Sequence, residues 1–407
     1  MKRVILLLLI SLSVVNGWCG KRKVLFAIID GIPADCIMRL QPPTIMEIAH
    51  EGHFCVSFAG GIVGTASQTP TISAIGYTNI LTGTWMYKHQ VKGNDNIHPN
   101  YSYPTIFRVA KDQPQPVTTA IYSSWTDNRT ILLGEGLEAT RQLKIDYVRD
   151  GYDKDNVRFP KQPGDVQLQK VDDQICSDAA ACISSNAPDL NWLYLWYPDD
   201  AFHHNGNGKI ADDAIMTVDR QLAKVWTSVK DRERKYGEDW LVIITTDHGR
   251  EEKGFRHGNQ SARERASWIA TNVKKVNRHF TAGKLSQVDI FPTICQYMQW
   301  QLDNNVRFEL DGQSFLGKTD MDDFKLFPYD NTIDLQWTPN NRQDNAEVYL
   351  TTTNDRFKGM TDNWQKVGEV KVKEGHFLID FSKYPKSKLY KFAVVTPNTC
   401  LTRIFKK

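Results

Sequence analysis

The stretch VIITTDHGREEKGFRHG, residues 242–258, joins an apolar and β-branched run to Asp247 and two histidines. The run is continuous rather than alternating, which is typical of a strand buried on both faces of a parallel sheet. Asp247 and His248 follow the run directly, and His257 comes nine residues after His248. Taken alone, the stretch is read more simply as a strand and a turn that Asp247 caps, so the rest of the chain has to decide.

Two further apolar runs also lead to an aspartate. KVLFAII ends at Asp30, and NWLYLWYP ends at Asp199. Helical patterns lie between the runs, at residues 72–81 and 212–229. The alternation predicts an α/β fold with a largely parallel sheet flanked by helices. Because such sheets bind ligands at the carboxyl ends of their strands, the repeated aspartates favour a functional site there.

The pattern changes towards the C-terminus. From about Tyr329 the chain contains short strand-like runs separated by Asn, Asp, Gly and Pro, namely TIDLQW, AEVYLTT, WQKVGEVKV, HFLIDF and LYKFAVVT. Their spacing predicts a small β-sandwich of the fibronectin III type at residues 329–407. The catalytic domain is expected to occupy residues 22–320.

The N-terminus has the features of a secretory signal. A basic pair precedes an apolar run from Val4 to Val15, which is shorter than the roughly 20 residues that span a bilayer. We expect a signal peptide at residues 1–17, a secreted or periplasmic protein, and no transmembrane span in the mature chain. A lipid anchor at Cys19 is disfavoured, because Trp18 is bulkier than the small residue that a lipidation signal places before its cysteine.

Composition excludes several classes of protein. The 407 residues are 41% hydrophobic and 24% charged, which indicates a globular chain. Fifty basic residues against 47 acidic ones give no bias towards a nucleic-acid partner. Seven cysteines are too few for a disulfide scaffold, and the sequence leaves both their pairing and the oligomeric state open.

Asp199 and His203 are four residues apart, which places both side chains on one face if a helix begins there. That spacing suits two ligands of one metal, although Asp199 as a helix cap before exposed histidines explains it equally well. The whole chain, however, offers three aspartates and three histidines at or near strand ends. Such donors hold zinc, and two sets of them form a two-metal site. The candidate ligands are Asp30, Asp199, His203, Asp247, His248 and His257.

A nucleophile is offered by the segment TPTISAIGYTNILTG, in which Ser73 lies near the start of a predicted helix. Exposed N–H groups and the helix dipole favour an anion such as a phosphoryl group there. Metal coordination lowers the pKa of a serine hydroxyl and activates it. Ser73 as a plain helix start, and Thr69 or Thr71 as rival hydroxyls, remain open on these grounds.

In order and spacing, these residues resemble the alkaline phosphatase superfamily, and most of all its nucleotide pyrophosphatase/phosphodiesterase branch, also called type I phosphodiesterases. The resemblance covers about residues 22–318. In that family the nucleophile lies nine residues before the Thr of a terminal Thr-Gly, and counting back from Thr82-Gly83 gives Ser73. The resemblance implies an alkaline phosphatase-like fold for the catalytic domain.

The resemblance also implies two zinc ions per chain. One would be held by Asp199, His203 and His257. The other would be held by Asp30, Asp247 and His248, with Ser73 alongside. Asn94, in HQVKGND, falls where this branch keeps an asparagine that donates to a phosphoryl oxygen.

The chain departs from the branch at the nucleophile and at the position after it. Ser73 stands where threonine is usual, and Ala74 replaces the aromatic residue against which a nucleobase packs. Trp125 offers another aromatic surface. A sulfatase is disfavoured, because Ile75 and Tyr77 occupy positions where the sulfatase motif requires Pro or Ala and then Arg.

We therefore expect an exported two-zinc phosphodiesterase or nucleotide pyrophosphatase-like hydrolase that works through a phosphoseryl intermediate. Its substrate would be a phosphate ester, with nucleotides as one candidate. The alternatives are a phosphomonoesterase, which shares every metal ligand, a phosphoethanolamine-type transferase, and a non-catalytic binding protein.

Overall fold

The computed structural model describes residues 20–162, 166–340 and 344–407. The signal peptide expected at residues 1–17, and Cys19 with its disfavoured lipid anchor, lie outside the described residues. The cysteines within the described ranges all have free thiols, including Cys176 and Cys182.

A seven-stranded sheet forms the centre of the first domain. Its strands are β1 (Arg22–Ile29), β2 (His53–Phe58), β3 (Thr119–Ser123), β4 (Tyr147–Arg149), β5 (Leu190–Leu195), β6 (Asp239–Thr245) and β7 (Ala266–Thr271). The spatial order is β2-β7-β6-β1-β5-β3-β4. All neighbours from β6 to β4 pair in parallel, while β7 pairs antiparallel with both β6 and β2. This confirms the largely parallel sheet.

Helices cover both faces of this sheet. They are α1 (Ala34–Leu40), α2 (Pro43–Glu51), α3 (Ser73–Thr82), α4 (Met86–His89), α5 (Ile106–Lys111), α6 (Val166–Ser185), α7 (Tyr197–Asn205), α8 (Lys209–Tyr236), α9 (Ala262–Arg265), α10 (Arg278–Thr281), α11 (Ile290–Met298) and α12 (Asn304–Arg307). None of the helices in the described ranges has the length and apolar character needed to cross a bilayer.

The central strand β1 shows why its sequence is apolar throughout. Ala27 packs in a core that includes side chains of α2, α6 and α8. Its neighbour Phe26 points to the opposite face, where it packs in a core that includes side chains of α3, α5 and α11. Because successive side chains of a strand point to opposite faces, a strand covered by helices on both sides needs apolar residues at every position.

Two of the expected elements end differently from the prediction. Helix α8 extends to Tyr236, beyond the predicted range of 212–229. The prediction stopped early because the last turns of the helix are polar and carry no apolar periodicity. Strand β5 stops at Leu195, and the WYP of its apolar run already begins α7. Pro198 lies in the first turn of α7, where the missing N–H of proline costs nothing and its fixed φ favours the helix.

The C-terminal part forms a separate domain of two antiparallel sheets. One has the order β11-β10-β13-β14 and the other the order β12-β9-β8. The first strand of this region begins at Met321, ahead of the expected boundary at residue 329, and neither β8 nor β14 was among the predicted runs. The strands are β8 (Met321–Tyr329), β9 (Thr332–Pro339), β10 (Asn345–Thr351), β11 (Gln365–Lys371), β12 (His376–Asp380), β13 (Leu389–Val395) and β14 (Cys400–Lys406).

Candidate active site

Three buried aspartates meet at one edge of the sheet. Asp30 directly follows β1, Asp247 follows β6, and Asp199 lies in the first turn of α7, just beyond β5. Strand β1 lies between β6 and β5, and all three run in parallel, so their carboxyl ends are neighbours. The fold thus brings together side chains that are far apart in the sequence.

The first cluster of donor atoms surrounds His248. Its Nε2 lies 3.2 Å from Asp247 Oδ2 and 3.5 Å from Asp30 Oδ1. All three side chains are fully buried, and their ligand atoms are close enough together to hold one metal ion. We refer to Asp30, Asp247 and His248 as the inner cluster.

The second cluster lies nearer the surface. His203 Nε2 lies 3.4 Å from Asp199 Oδ2 and 3.1 Å from His257 Nε2, and His257 Nε2 lies 3.9 Å from Asp199 Oδ1. Asp199 and His203 share one face of α7, as their spacing predicts. His203 is 39% exposed, whereas Asp199 and His257 are below 10%. We refer to Asp199, His203 and His257 as the outer cluster.

The two clusters adjoin each other through their histidines. The rings of His248 and His257 are stacked, with centroids 3.7 Å apart and planes 13° from parallel. The ligand atoms of Asp199, His248 and His257 also form a group tight enough for one metal ion. His248 therefore lies between both clusters, as in sites where two metal ions sit about 4 Å apart.

Each carboxylate of the inner cluster has one oxygen held by the protein. Asp30 Oδ2 accepts hydrogen bonds from Tyr77 Oη and from Tyr194 Oη, the latter at 2.7 Å. Asp247 Oδ1 accepts from the backbone N–H of Gly31 at 3.1 Å. The other two oxygens, Asp30 Oδ1 and Asp247 Oδ2, are buried without a hydrogen-bond partner among the described residues. Buried oxygens of this kind are costly unless a ligand satisfies them.

The tautomers of His248 and His257 also suit metal binding. His248 Nδ1 lies 2.9 Å from the carbonyl of Gly249, and His257 Nδ1 lies 2.8 Å from the carbonyl of Thr71. A carbonyl only accepts, so Nδ1 carries the proton and Nε2 presents its lone pair to the clusters. Nitrogen donors combined with carboxylate oxygens are a ligand set that zinc accepts. The residues therefore fit bound metal.

Charge in the site is set by burial. Burial lowers the pKa of His248 and of His257, so both rings are neutral, as a metal ligand must be. Burial also raises the pKa of Asp247, and the negative charge of Asp30 raises it further. A dication between the two carboxylates would remove this repulsion.

Ser73 is the first residue of α3 and is buried beside the inner cluster. Its Oγ lies 3.1 Å from His248 Nε2. The rival hydroxyl of Thr71 has a different role, since its Oγ1 donates to the carbonyl of Asn259 and accepts from the N–H of Gly258. Thr71 thereby holds the loop that carries His257, while Ser73 faces the donor atoms.

Asn94 lies in an exposed loop against the start of α3. Its Oδ1 accepts a hydrogen bond of 2.9 Å from the N–H of Ala74. That bond uses the carbonyl end of the side chain, so the amide Nδ2 is the end that can donate to a ligand. Ala74 is fully buried. Trp125 is half-buried and contacts the ring of Tyr77 edge-on, with centroids 6.1 Å apart.

Sequence reasoning missed the residues that hold the carboxylates. Arg250 is fully buried, and its Nη2 donates to Asp199 Oδ1 and, at 2.9 Å, to the Asp199 carbonyl. The sequence offered one signal that Arg250 belongs to the site, namely its position two residues after His248. Tyr77 lies four residues after Ser73 on α3, so a helical reading places both on the same face.

Arg263 and Arg265, which follow His257 in the chain, are engaged elsewhere. Arg263 pairs with Asp35 at 3.2 Å, and Arg265 donates to the carbonyl of Gly61 at 2.6 Å. These contacts agree with a structural role for the two arginines rather than phosphate binding.

A family model described as "Type I phosphodiesterase / nucleotide pyrophosphatase" matches residues 24–271, more than half of the chain. Among solved structures, a 2-O GAG sulfatase is 12% identical, with 89% of this chain and 86% of that chain covered and a TM-score of 0.50. A sulfatase structure described under metabolism of multiple glycosaminoglycans by Bacteroides thetaiotaomicron is 13% identical, with 78% and 88% covered and a TM-score of 0.50. A protein in the alkaline phosphatase superfamily from Vibrio parahaemolyticus is 13% identical, with 79% and 78% covered and a TM-score of 0.45. At such identities, the likeness to the two structures with a TM-score of 0.50 shows the fold alone.

Proposed function

Because this chain belongs to the type I phosphodiesterase / nucleotide pyrophosphatase family, we propose that it is an exported two-zinc phosphodiesterase that forms a phosphoseryl intermediate. Membership makes it a hydrolase of the alkaline phosphatase superfamily. The observation that carries the finer proposal is the pairing of the inner and outer clusters beside one hydroxyl, with Ser73 Oγ 3.1 Å from His248 Nε2.

In the proposed reaction the inner cluster of Asp30, Asp247 and His248 holds one zinc ion, and the outer cluster of Asp199, His203 and His257 holds the other. Bound zinc supplies Lewis-acid chemistry, which lowers the pKa of a nearby hydroxyl and draws charge from phosphoryl oxygens.

Ser73 Oγ, having lost its proton, attacks phosphorus in line. The new bond joins Ser73 Oγ to phosphorus, the bond from phosphorus to the leaving oxygen breaks, and the leaving oxygen takes up the proton that Ser73 Oγ has lost. Asn94 Nδ2 donates to a phosphoryl oxygen, and the N-terminal end of α3 favours the negative charge. A water molecule then attacks phosphorus, the bond from phosphorus to Ser73 Oγ breaks, and Ser73 Oγ takes up a proton of that water while its hydroxyl stays on phosphorus.

A diester is favoured over a monoester by the placement of the cations. A monoester brings a doubly charged phosphoryl group, which is best matched by extra positive side chains. Here Arg263 pairs with Asp35, Arg265 holds a backbone carbonyl, and Arg250 is turned towards Asp199. All three of these arginines are thus committed to protein groups.

A nucleotide is the candidate substrate, with Trp125 as the surface against which a base would stack. Trp125 is half-buried and adjoins Tyr77, which bonds Asp30. Aromatic surfaces of this kind accept any base, because stacking uses the face of the ring. We propose export on the basis of the N-terminal signal pattern.

The test is a paired assay on zinc-loaded protein. It compares bis-p-nitrophenyl phosphate and p-nitrophenyl dTMP with p-nitrophenyl phosphate, and it includes Ser73→Ala and the neighbouring Thr69→Val as a matched control. We expect the diesters to turn over faster, with a loss of at least about 10³-fold in Ser73→Ala and little change in Thr69→Val.

Chelation should abolish turnover, and added zinc should restore it. Faster turnover of the monoester would make the chain a phosphomonoesterase that uses the same ligands. Full activity in metal-free protein, or in Ser73→Ala, would overturn the mechanism. Transfer of the phosphoryl group to an added alcohol rather than to water would favour the transferase alternative.

A further inference from the structure

Arg250 donates hydrogen bonds to three segments that carry candidate metal ligands. Its Nε donates to the carbonyl of Gly31, directly after Asp30, at 3.0 Å. Its Nη2 donates to both the side chain and the carbonyl of Asp199. Its Nη1 donates to the carbonyl of Phe255, two residues before His257, at 3.2 Å. The planar fork of arginine makes several such bonds at once, which lysine cannot.

The partner of Asp199 differs in charge from the partners of the other two carboxylates. Asp30 and Asp247 are held by neutral donors, namely tyrosine hydroxyls and a backbone N–H. Asp199 is held by the guanidinium of Arg250, a positively charged group. The outer cluster therefore has a cation in contact with its carboxylate, whereas the contacts of Asp30 and Asp247 named above are with neutral groups.

The same contact decides how Asp199 can bind an ion. Arg250 donates to Oδ1, the oxygen that lies 3.9 Å from His257 Nε2, so Oδ2, 3.4 Å from His203 Nε2, is the oxygen left free of the guanidinium. Asp199 is thereby restricted to one-oxygen coordination. Gly31 permits the close approach, since a Cβ there would lie 2.5 Å from Asp199 Oδ1 and 2.6 Å from Arg250 Nη2.

From these contacts we infer that Arg250 makes the two metal positions unequal. It neutralises Asp199 and limits it to one oxygen, so the outer cluster binds its ion more weakly and releases it more readily than the inner cluster. Arg250 acts through Asp199 and is a positioning residue. The inference rests on the proposed two-metal function and adds to it an order of filling, with the inner cluster first.

The test is a stepwise zinc titration of metal-stripped protein against a competing chelator dye. The variants are Arg250→Met, which removes the charge at similar volume, Arg250→Lys, which keeps it, and Arg263→Met as a control on a neighbouring arginine that contacts no ligand. We expect two resolved steps in the unaltered protein. In Arg250→Met the weaker step should tighten by at least about tenfold while the tighter step stays unchanged.

The shifted step is assigned with His203→Ala, since His203 belongs to the outer cluster alone. The step that tightens in Arg250→Met should be the step that His203→Ala removes. Cobalt(II) gives a second readout: freeing Asp199 Oδ1 raises the coordination number, so visible absorption of the outer ion should weaken in Arg250→Met and not in Arg250→Lys. If Arg250→Met does not fold, Arg250→Gln supplies a neutral side chain that still donates.

The outcomes separate the inference from the proposed function. Equal weakening of both steps would show that Arg250 is only structural, and unchanged steps in the neutral variants would show that its charge is not felt; either overturns the inference. An unaltered protein that takes up no zinc would instead overturn the two-metal function itself.

Discussion

Tyr77 and Tyr194 direct their hydroxyls at the same oxygen of Asp30, and the two hydroxyl oxygens are 2.8 Å apart. Burial and the charge of Asp30 raise the pKa of both phenols far above their ordinary value, so both remain protonated donors. Their effect is to fix the rotation of the Asp30 carboxylate, so that Oδ1 is the oxygen facing His248. Partners of metal ligands orient the donor atoms in this way.

We expect Tyr77→Phe to lower zinc affinity and turnover about 10-fold, and the double variant Tyr77→Phe/Tyr194→Phe about 100-fold. Tyr122→Phe is the matched control, because Tyr122 is also fully buried but its hydroxyl donates to Asn191. Zinc titration and diester turnover measure the effect. Equal behaviour of Tyr77→Phe and the control would contradict a role for the hydroxyl at Asp30.

At the scale of elements, α3 packs unusually close to the turn that carries Asp247. A Cβ placed on Gly76 would lie 2.8 Å from both the Cβ and the carbonyl oxygen of Asp247. Glycine inside a helix normally costs about 1 kcal/mol relative to alanine, so its presence needs a reason such as this contact. The close approach is what brings Ser73, one turn earlier on α3, to His248.

Gly76→Ala should therefore destabilise the protein despite the better helix propensity of alanine, because backbone and the Asp247 side chain cannot yield by the required distance. Turnover should also fall, by more than the loss of folded protein explains, because the displaced α3 carries Ser73 away from the inner cluster. Urea unfolding together with kcat measures both effects. Gly93→Ala, where a Cβ meets nothing within 4 Å, is the stability control. A gain in stability for Gly76→Ala would refute the packing argument.

Sequence patterns predicted the elements whose signal is local. Continuous apolar runs predicted β1 and β6, and the ligand-bearing end of each followed from the parallel sheet. The prediction failed at Trp196, where a continuous apolar run passes from strand β5 to helix α7. It also missed β8, whose charged residues and register shift near Asp322 interrupt the strand pattern. Arg250 and Tyr194 were missed because their partners lie far away in sequence, and only the folded sheet brings them together.

For the whole molecule, the two domains are joined by a buried ionic contact. Lys391 of β13 lies 2.7 Å from Glu309, near the end of the first domain, and 2.7 Å from Asp362 of the second. All three side chains are almost completely buried. Removing one member of such a group leaves charges without compensation, which costs more than the intact group contributes.

Lys391→Met should lower the free energy of unfolding by about 3–5 kcal/mol, because buried Asp362 would lose its cation and buried Glu309 would keep only the longer contact of 3.7 Å with Lys88. Chemical unfolding of the full chain measures the loss. The control is Lys366→Met, which breaks exposed pairs with Glu347 and Glu369 and should leave stability unchanged. Similar losses in the two variants would show that burial of the contact does not matter.

His279 of α10 gives the same junction a dependence on pH. Burial alone would lower its pKa, but Asp289 at 3.0 Å and Asp322 at 3.7 Å outweigh burial and the positive charge of Arg403, and the pKa is raised. The stabilisation is complete below the unfolded value of about 6.5 and is lost as pH rises through the higher folded value.

The free energy of unfolding of the unaltered protein, relative to that of His279→Gln, should therefore fall as pH rises above about 6.5. Urea unfolding of both proteins across that range isolates the contribution of His279. The exposed pair of His376 with Asp334 provides the comparison, because His376→Gln removes a contact that solvent screens. A difference that grows with rising pH would refute the assignment.

The three strand ends that meet at β1 also constrain when the protein can first hold an ion. Asp30 precedes Asp247 by most of the first domain, so the inner cluster exists only once β6 has joined β1, and the outer cluster only once β5 has joined as well. Contacts so distant along the chain form late in folding. Zinc capture during refolding, followed with an indicator dye, should thus lag behind tryptophan burial. Metal uptake would then report when the central strands of the sheet have paired.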